Sequence, residues 1–165
     1  MSIALSSVST RLVFLSERIS NEDFLAVMEE AFRRGQKIRF SPSGSSMLPM
    51  LDGKEDTVTF APPPEKLKKY DVAFYRREKT GQLVLHRVVR VKKDGSYVFC
   101  GDGQYSYEPG ITQKDILAFM EAFTHKGKAY SVTDFSYRFY IQRMMFKKRL
   151  RMLAVKVYHK LFKRH

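Results

Sequence analysis

The feature that most constrains this chain is a change of period at Gln36. Before it, Phe24, Met28, Ala31 and Phe32 recur at helical spacing, behind Ser20 or Asn21 as a cap. Glu22 and Asp23 favour the first turn electrostatically, and Gly35 ends the helix. After it, the apolar pattern moves towards a period of two. Lys37–Phe40, Asp56–Phe60, Asp71–Arg76, Gln82–Lys92 and Ser96–Cys100 read as strands, with Ile116–Thr124 and Ala129–Thr133 as a further pair around Lys126-Gly127. Asp94-Gly95 is a hairpin turn and Glu78 to Gly81 a second one, which predicts a three-stranded meander. Pro62-Pro63-Pro64 cannot lie inside a ladder, and Val8 to Leu15 can pair as a strand. The expected fold is mainly β within the α+β class: a small antiparallel β-domain with a helix at each end.

At 165 residues the chain has room for one domain with its own core. Its single cysteine, Cys100, excludes an internal disulfide framework, and no Cys/His cluster has the spacing of a structural zinc site. A lone thiol fits a reducing compartment. The formal net charge of +13 is localised. No acidic residue follows Asp134, and residues 135–165 hold ten of the 30 lysines and arginines, leaving 20 basic against 17 acidic residues in 1–134. The body is therefore near neutral and the tail strongly basic. This divides the chain into a domain over 1–134 (helix 21–34, β core 36–133) and a basic helical tail over 135–165.

Projected at 100° per residue, Phe139, Phe146, Leu150, Leu153, Ala154, Val157 and Leu161 share one stripe of that tail. Lys148, Arg149, Arg151, Lys156, Lys160 and Lys163 surround it, with Arg143 and Arg164 intruding. Three readings compete: a basic amphipathic helix in an anionic lipid interface through residues 137–164, a terminal helix docked on the domain, and a nucleic-acid tail. Lipid contact is placed first and nucleic acid last. No stretch has the length of uninterrupted apolar residues that a spanning helix needs, and Arg11 and Glu17 interrupt the N-terminal run, so neither a signal peptide nor a transmembrane helix is expected. The expected location is cytoplasmic, with peripheral attachment to the cytoplasmic membrane face.

Chemistry concentrates in Ser41-Pro42-Ser43-Gly44-Ser45-Ser46-Met47-Leu48-Pro49-Met50-Leu51. A nucleophilic serine is held at a tight turn, with glycine nearby so that substrate backbone can approach and N–H groups aimed at the developing oxyanion. Pro49 stiffens the exit from such a turn, and Met47 and Leu51 can pin it to the core. Composition alone makes this a Ser/Gly/Pro surface loop, so the catalytic reading requires a base. Of the four histidines, His159 and His165 fall in the basic tail and His125 lies beside the Lys126-Gly127 turn. His86, within Leu83-Val84-Leu85-His86-Arg87-Val88-Val89, is the one placed on a central strand, sharing an apolar face with Val84 and Val88. An imidazole there suits general-base work near neutrality, or serves as a hydrogen-bonded structural residue.

Gly44-Ser45-Ser46-Met47-Leu48-Pro49-Met50-Leu51 resembles the nucleophile box of the type I signal peptidases, whose superfamily includes the self-cleaving SOS and phage repressors. In that box the nucleophilic serine precedes methionine and proline follows three positions later, which selects Ser46 over Ser45. Asp71-Val72-Ala73-Phe74-Tyr75 resembles the family's Gly-Asp-Ile-Val-Val-Phe strand, with Tyr70 in place of its glycine. His86-Arg87-Val88-Val89 resembles the His-Arg-Val box of the endoplasmic-reticulum and archaeal enzymes, in which histidine replaces a catalytic lysine. Gly101-Asp102-Gly103-Gln104 resembles their Gly-Asp-Asn-Asn box. The ordered matches span residues 44–104.

The resemblance implies the coiled antiparallel β architecture of signal peptidase and repressor catalytic domains, and a serine endopeptidase acting on an extended peptide or leader. Ser46 would be the nucleophile, His86 its base, and the Ser46 N–H one oxyanion donor, while the second donor is left open because Ser43-Gly44 is shifted by Ser45. Asp102 and Glu108 are the two candidates to orient His86, with a bracing role the competitor for Asp102. Such acyl transfer implies no metal and no organic cofactor. The alternative is an inactive module on the same fold that binds peptide or membrane. A repressor is disfavoured because one helix precedes Gly44 and a helix-turn-helix needs two.

Overall fold

Ser20 accepts a hydrogen bond from the Asp23 N–H at 3.1 Å and opens the first helix, α1 (Asn21–Arg33). Gly35, at φ +68°, turns the chain out of it. The computed structural model describes residues 12–14, 20–53 and 55–162. Nine strands follow or precede α1: β1 (Leu12–Phe14), β2 (Lys37–Phe40), β3 (Val58–Ala61), β4 (Val72–Arg76), β5 (Leu83–Val91), β6 (Tyr97–Cys100), β7 (Glu108–Ile111), β8 (Ile116–His125) and β9 (Lys128–Ser131). A long helix, α2 (Phe135–Phe162), closes the described chain.

The strands form one sheet in the order β1-β2-β3-β8-β4-β5-β6-β7, with β9 paired to β8. All pairings are antiparallel except β1 with β2. The expected meander is present as β4-β5-β6 and is extended by β7. Register shifts interrupt the ladders at Thr59/Phe60, Phe74/Tyr75 and Val88/Arg90. Such bulges add local twist, and they coil the sheet so that each face covers a core of its own. On β4, Val72 and Phe74 join a larger core with Phe24, Met28 and Phe60, while Ala73 and Tyr75 join a smaller one with Val84, Val88 and Phe99.

The turns obey the local chemistry. Gly95 and Gly127 take φ of +82° and +75°, and Asp94 accepts from both the N–H and the hydroxyl of Ser96. The proline run lies between β3 and β4, outside any ladder. Strand ends differ from the expected ones by one or two residues. β7 was not expected, because Pro109-Gly110 looks like a turn; it is the edge strand of the sheet, where proline costs no ladder bond. The strand expected over Val8–Leu15 is seen at Leu12–Phe14, and its remainder lies outside the described residues.

Helix α2 docks on the domain through a face other than the stripe that periodicity picks out. Tyr137, Ile141 and Met145 are buried in the larger core, with the Tyr137 ring 5.2 Å from that of Phe123. Phe139, Phe146, Leu150 and Leu153, the stripe picked out by periodicity, point away from the domain. Lys148, expected among the solvated cations, instead turns inward and is buried. Beyond Met152 every described side chain is exposed, so the helix runs past the body it packs on. No helix among the described residues is long and apolar enough to cross a membrane.

Candidate active site

The loop after β2 is tied down residue by residue. Gly44 takes φ +94°, a conformation that glycine adopts without a Cβ penalty. The Leu48 N–H then donates to the Ser45 carbonyl and the Leu51 N–H to that of Met47, each at 3.1 Å, making one helical turn. Met47, Met50 and Leu51 are buried and fasten this turn to the larger core, as expected, while Pro49 is exposed and follows a cis peptide bond. Ser46 is half-buried at the start of the turn and Ser45 is exposed.

The Gly101–Gln104 segment lies directly against this loop. Gly103 N–H donates to the Ser46 carbonyl at 2.9 Å. A Cβ on Gly101 would stand 2.5 Å from the Ser46 carbonyl oxygen and 3.1 Å from His86 Nε2. The glycine is therefore a requirement of close approach: serine loop, histidine ring and Gly-Asp segment converge on a point where no side chain fits.

His86 stands on β5 opposite Ala73, and Tyr75 pairs with Val84, so Tyr75 and His86 are diagonal neighbours on one face. Tyr75 Oη lies 3.3 Å from His86 Nδ1 and donates to Glu108 Oε2 at 2.9 Å. Arg77 holds that carboxylate through both oxygens, at 2.6 and 2.7 Å. With its proton committed to Glu108, the phenol oxygen is free to accept from Nδ1–H. This tautomer leaves the lone pair on Nε2, the ring nitrogen that lies beside Gly101 where that glycine meets the serine loop. Burial lowers the His86 pKa below its ordinary value, more than the nearby Glu108 charge raises it. Burial raises the Glu108 pKa, but the bonds from Arg77 and Tyr75 outweigh it and the net shift is downward. Burial and the Glu108 contact push the Tyr75 hydroxyl up, so it stays protonated.

Of the two candidate orienting acids, Glu108 reaches His86 only through Tyr75. Asp102 does not reach it: its two oxygens receive Nε and Nη2 of Arg87 at 2.8 and 2.6 Å. Arg87 is fully buried and also donates to the Tyr70 carbonyl at 2.9 Å, the Tyr137 hydroxyl at 3.0 Å and the Met50 sulfur. Burial opposes its charge, but Asp102 outweighs this and the net pKa shift is upward. Both Asp102 oxygens are thus committed to Arg87, which ties the Gly-Asp segment to β5. Tyr70 takes φ +80°, a left-handed conformation that glycine adopts more readily. Lys148 completes the frame from α2: its Nζ donates to the Gly101 carbonyl at 2.8 Å and to Cys100 Sγ at 3.2 Å.

Ser46 and His86 line one cleft of about 290 Å³, together with Gly44, Met47, Arg77 and Gln104. β5 pairs with β4 from Leu83 to Arg87 but with β6 only from Arg87 onward. Leu83–His86 thus presents a strand edge without a β6 partner beside the cleft. A second cleft of about 380 Å³ adjoins it across Pro42, Ser43, Leu83 and Leu85, and is floored by Phe24, Phe40, Phe60 and Phe74. Among the described residues no three His, Cys, Asp or Glu side chains group in a way that could hold a metal ion. Sequence reasoning missed Tyr75, Arg77 and Lys148. The signal for Tyr75 was its place two residues along β4 from Ala73, but that has meaning only once the β4-β5 register is known.

Comparison with protein-family models, curated proteins and solved structures yields no match to this chain.

Proposed function

We propose that the chain is a Ser–His serine endopeptidase of the signal peptidase-like type, cutting an extended peptide or leader. One observation carries the reading: Ser46 and His86, 40 positions apart, line the same cleft, and Tyr75 occupies the Nδ1 side of the ring, leaving Nε2 without a hydrogen-bond partner among the described residues. In the proposed reaction Ser46 Oγ attacks the peptide carbonyl as His86 Nε2 takes its proton. The Ser46 N–H donates to the oxyanion. His86 then gives the proton to the leaving amine, and water repeats the sequence on the acyl-enzyme. Tyr75 and Glu108 would orient the ring and stabilise its cationic form. The open Leu83–His86 edge suits a peptide added as a strand, with the adjoining aromatic cleft taking an apolar side chain of it.

A second reading, a peptide-holding module without turnover, is favoured by one fact: among the described residues no carboxylate touches His86 directly. Labelling with a serine-directed fluorophosphonate, read by intact mass, separates the two. An adduct on wild type that is lost in both Ser46→Ala and His86→Ala supports the peptidase. A folded wild type that takes no adduct at any pH sinks it.

A further inference from the structure

Helix α2 is apolar on two opposite sides, and the domain uses one of them. Tyr137, Ile141, Met145 and Lys148 face inward. On the other side Phe139 and Phe146 are 62% and 63% exposed, and Leu150, Leu153 and Val157 are about as open. Aromatic and branched side chains repeated over five turns form a continuous stripe, unlike the scattered single apolar residues of an ordinary surface.

Charge identifies what covers it. Lys147 and Arg151 border the stripe on one side and Arg149 on the other, and all three are exposed. Arg143 lies within it, with a stem long enough to lift its guanidinium clear of an apolar phase. No acidic side chain follows Asp134. A second copy of the chain would bring these cations against their own kind. A polyanion would satisfy the cations but leave the phenylalanines uncovered. An anionic bilayer surface meets both demands, with acyl chains under the stripe and headgroups along its flanks.

We propose that the outward face of α2 lies in the interface of a membrane rich in anionic lipid, holding the domain against that surface. This binding does not depend on the Ser46–His86 chemistry.

The test is co-sedimentation of the full chain with vesicles of phosphatidylcholine alone and of phosphatidylcholine with roughly one-third phosphatidylglycerol. The variants are Phe146→Ser/Leu150→Ser on the stripe, which removes apolar surface without changing charge, and Lys147→Gln and Arg149→Gln on the flanks. All four positions are exposed, and urea midpoints matching wild type verify that the variants fold. Expected are binding to the anionic vesicles that salt weakens, little binding to the neutral ones, and a loss of about fivefold for each cation removed. The stripe variant should lose binding at least tenfold. Absence of wild-type binding, or anionic binding indifferent to the stripe variant, overturns the proposal; the second result would mark a simple polyanion site. A dimer in sedimentation velocity that Phe146→Ser/Leu150→Ser dissolves also overturns it, by assigning the stripe to a second copy.

Discussion

Arg87 and Asp102 meet through two parallel contacts of 2.8 and 2.6 Å with neither side chain exposed to solvent. Arg87→Met leaves a carboxylate stranded in the core. The expected loss of stability is about 3–5 kcal/mol, read from urea unfolding. Arg87→Met combined with Asp102→Leu should cost less than Arg87→Met alone, since the stranded charge is then absent.

Tyr75 offers its oxygen to His86 and its proton to Glu108, so Tyr75→Phe removes an orienting bond and leaves the ring stack with Phe99 at 4.5 Å in place. The expected outcome is fluorophosphonate labelling slowed by up to roughly tenfold, the worth of one net hydrogen bond. The unfolding midpoint should fall as well, because both hydroxyl contacts are lost from a buried position. Labelling that keeps its wild-type rate on the folded variant would mean that Tyr75 is only a core residue.

The pH dependence follows from the direction of the His86 shift. Burial holds its folded pKa below 6.5, so labelling by the neutral ring should climb through a midpoint under that value. Glu108→Gln removes a neighbour that raises the pKa and should move the midpoint lower still. For stability, the unfolded chain takes up the proton first as pH falls. His86 therefore costs nothing well above about 6.5, and its penalty grows from there down to the folded midpoint. Urea midpoints compared between about pH 8 and pH 5 in wild type and His86→Gln isolate this part of the slope.

Lys148 pairs a buried ammonium with the Gly101 carbonyl, and its charge also lowers the His86 pKa. Lys148→Met should cost about 1.5–3 kcal/mol through the lost charge-assisted bond. It should also shift the labelling midpoint upward, opposite to Glu108→Gln. A midpoint that stays put would show that the two sites do not communicate.

Gly101→Ala puts a methyl group 2.5 Å from a backbone oxygen of the nucleophile loop. Labelling should fall to the level of Ser46→Ala while far-ultraviolet circular dichroism keeps its β signal.

Strand positions were legible because alternation and turn residues are local, and β2 to β6 lie within two residues of where the pattern put them. Ser46 and His86 stood out by residue type at the right kind of element. Tyr75 did not, since a tyrosine on a buried strand looks like packing until Glu108 arrives from β7, a strand that Pro109-Gly110 disguises. The docked face of α2 was not legible for another reason. With an apolar stripe on each side, periodicity alone cannot say which one meets the domain, and a lysine inside the docked stripe counts against the right choice.

The partners of Arg87 are separated along the chain by as few as 15 and as many as 50 residues, and they come from the serine loop, the Tyr70 turn, the Gly-Asp segment and α2. A cleft framed this way has no half-built state. Its parts are tied by contacts between segments 15 to 50 residues apart, so none of them is local. Labelling competence should therefore appear and vanish with global unfolding, at the same denaturant concentration and in one cooperative step. A fragment lacking α2 would then lose more than an appendage: it would lose the order that makes Ser46 and His86 neighbours.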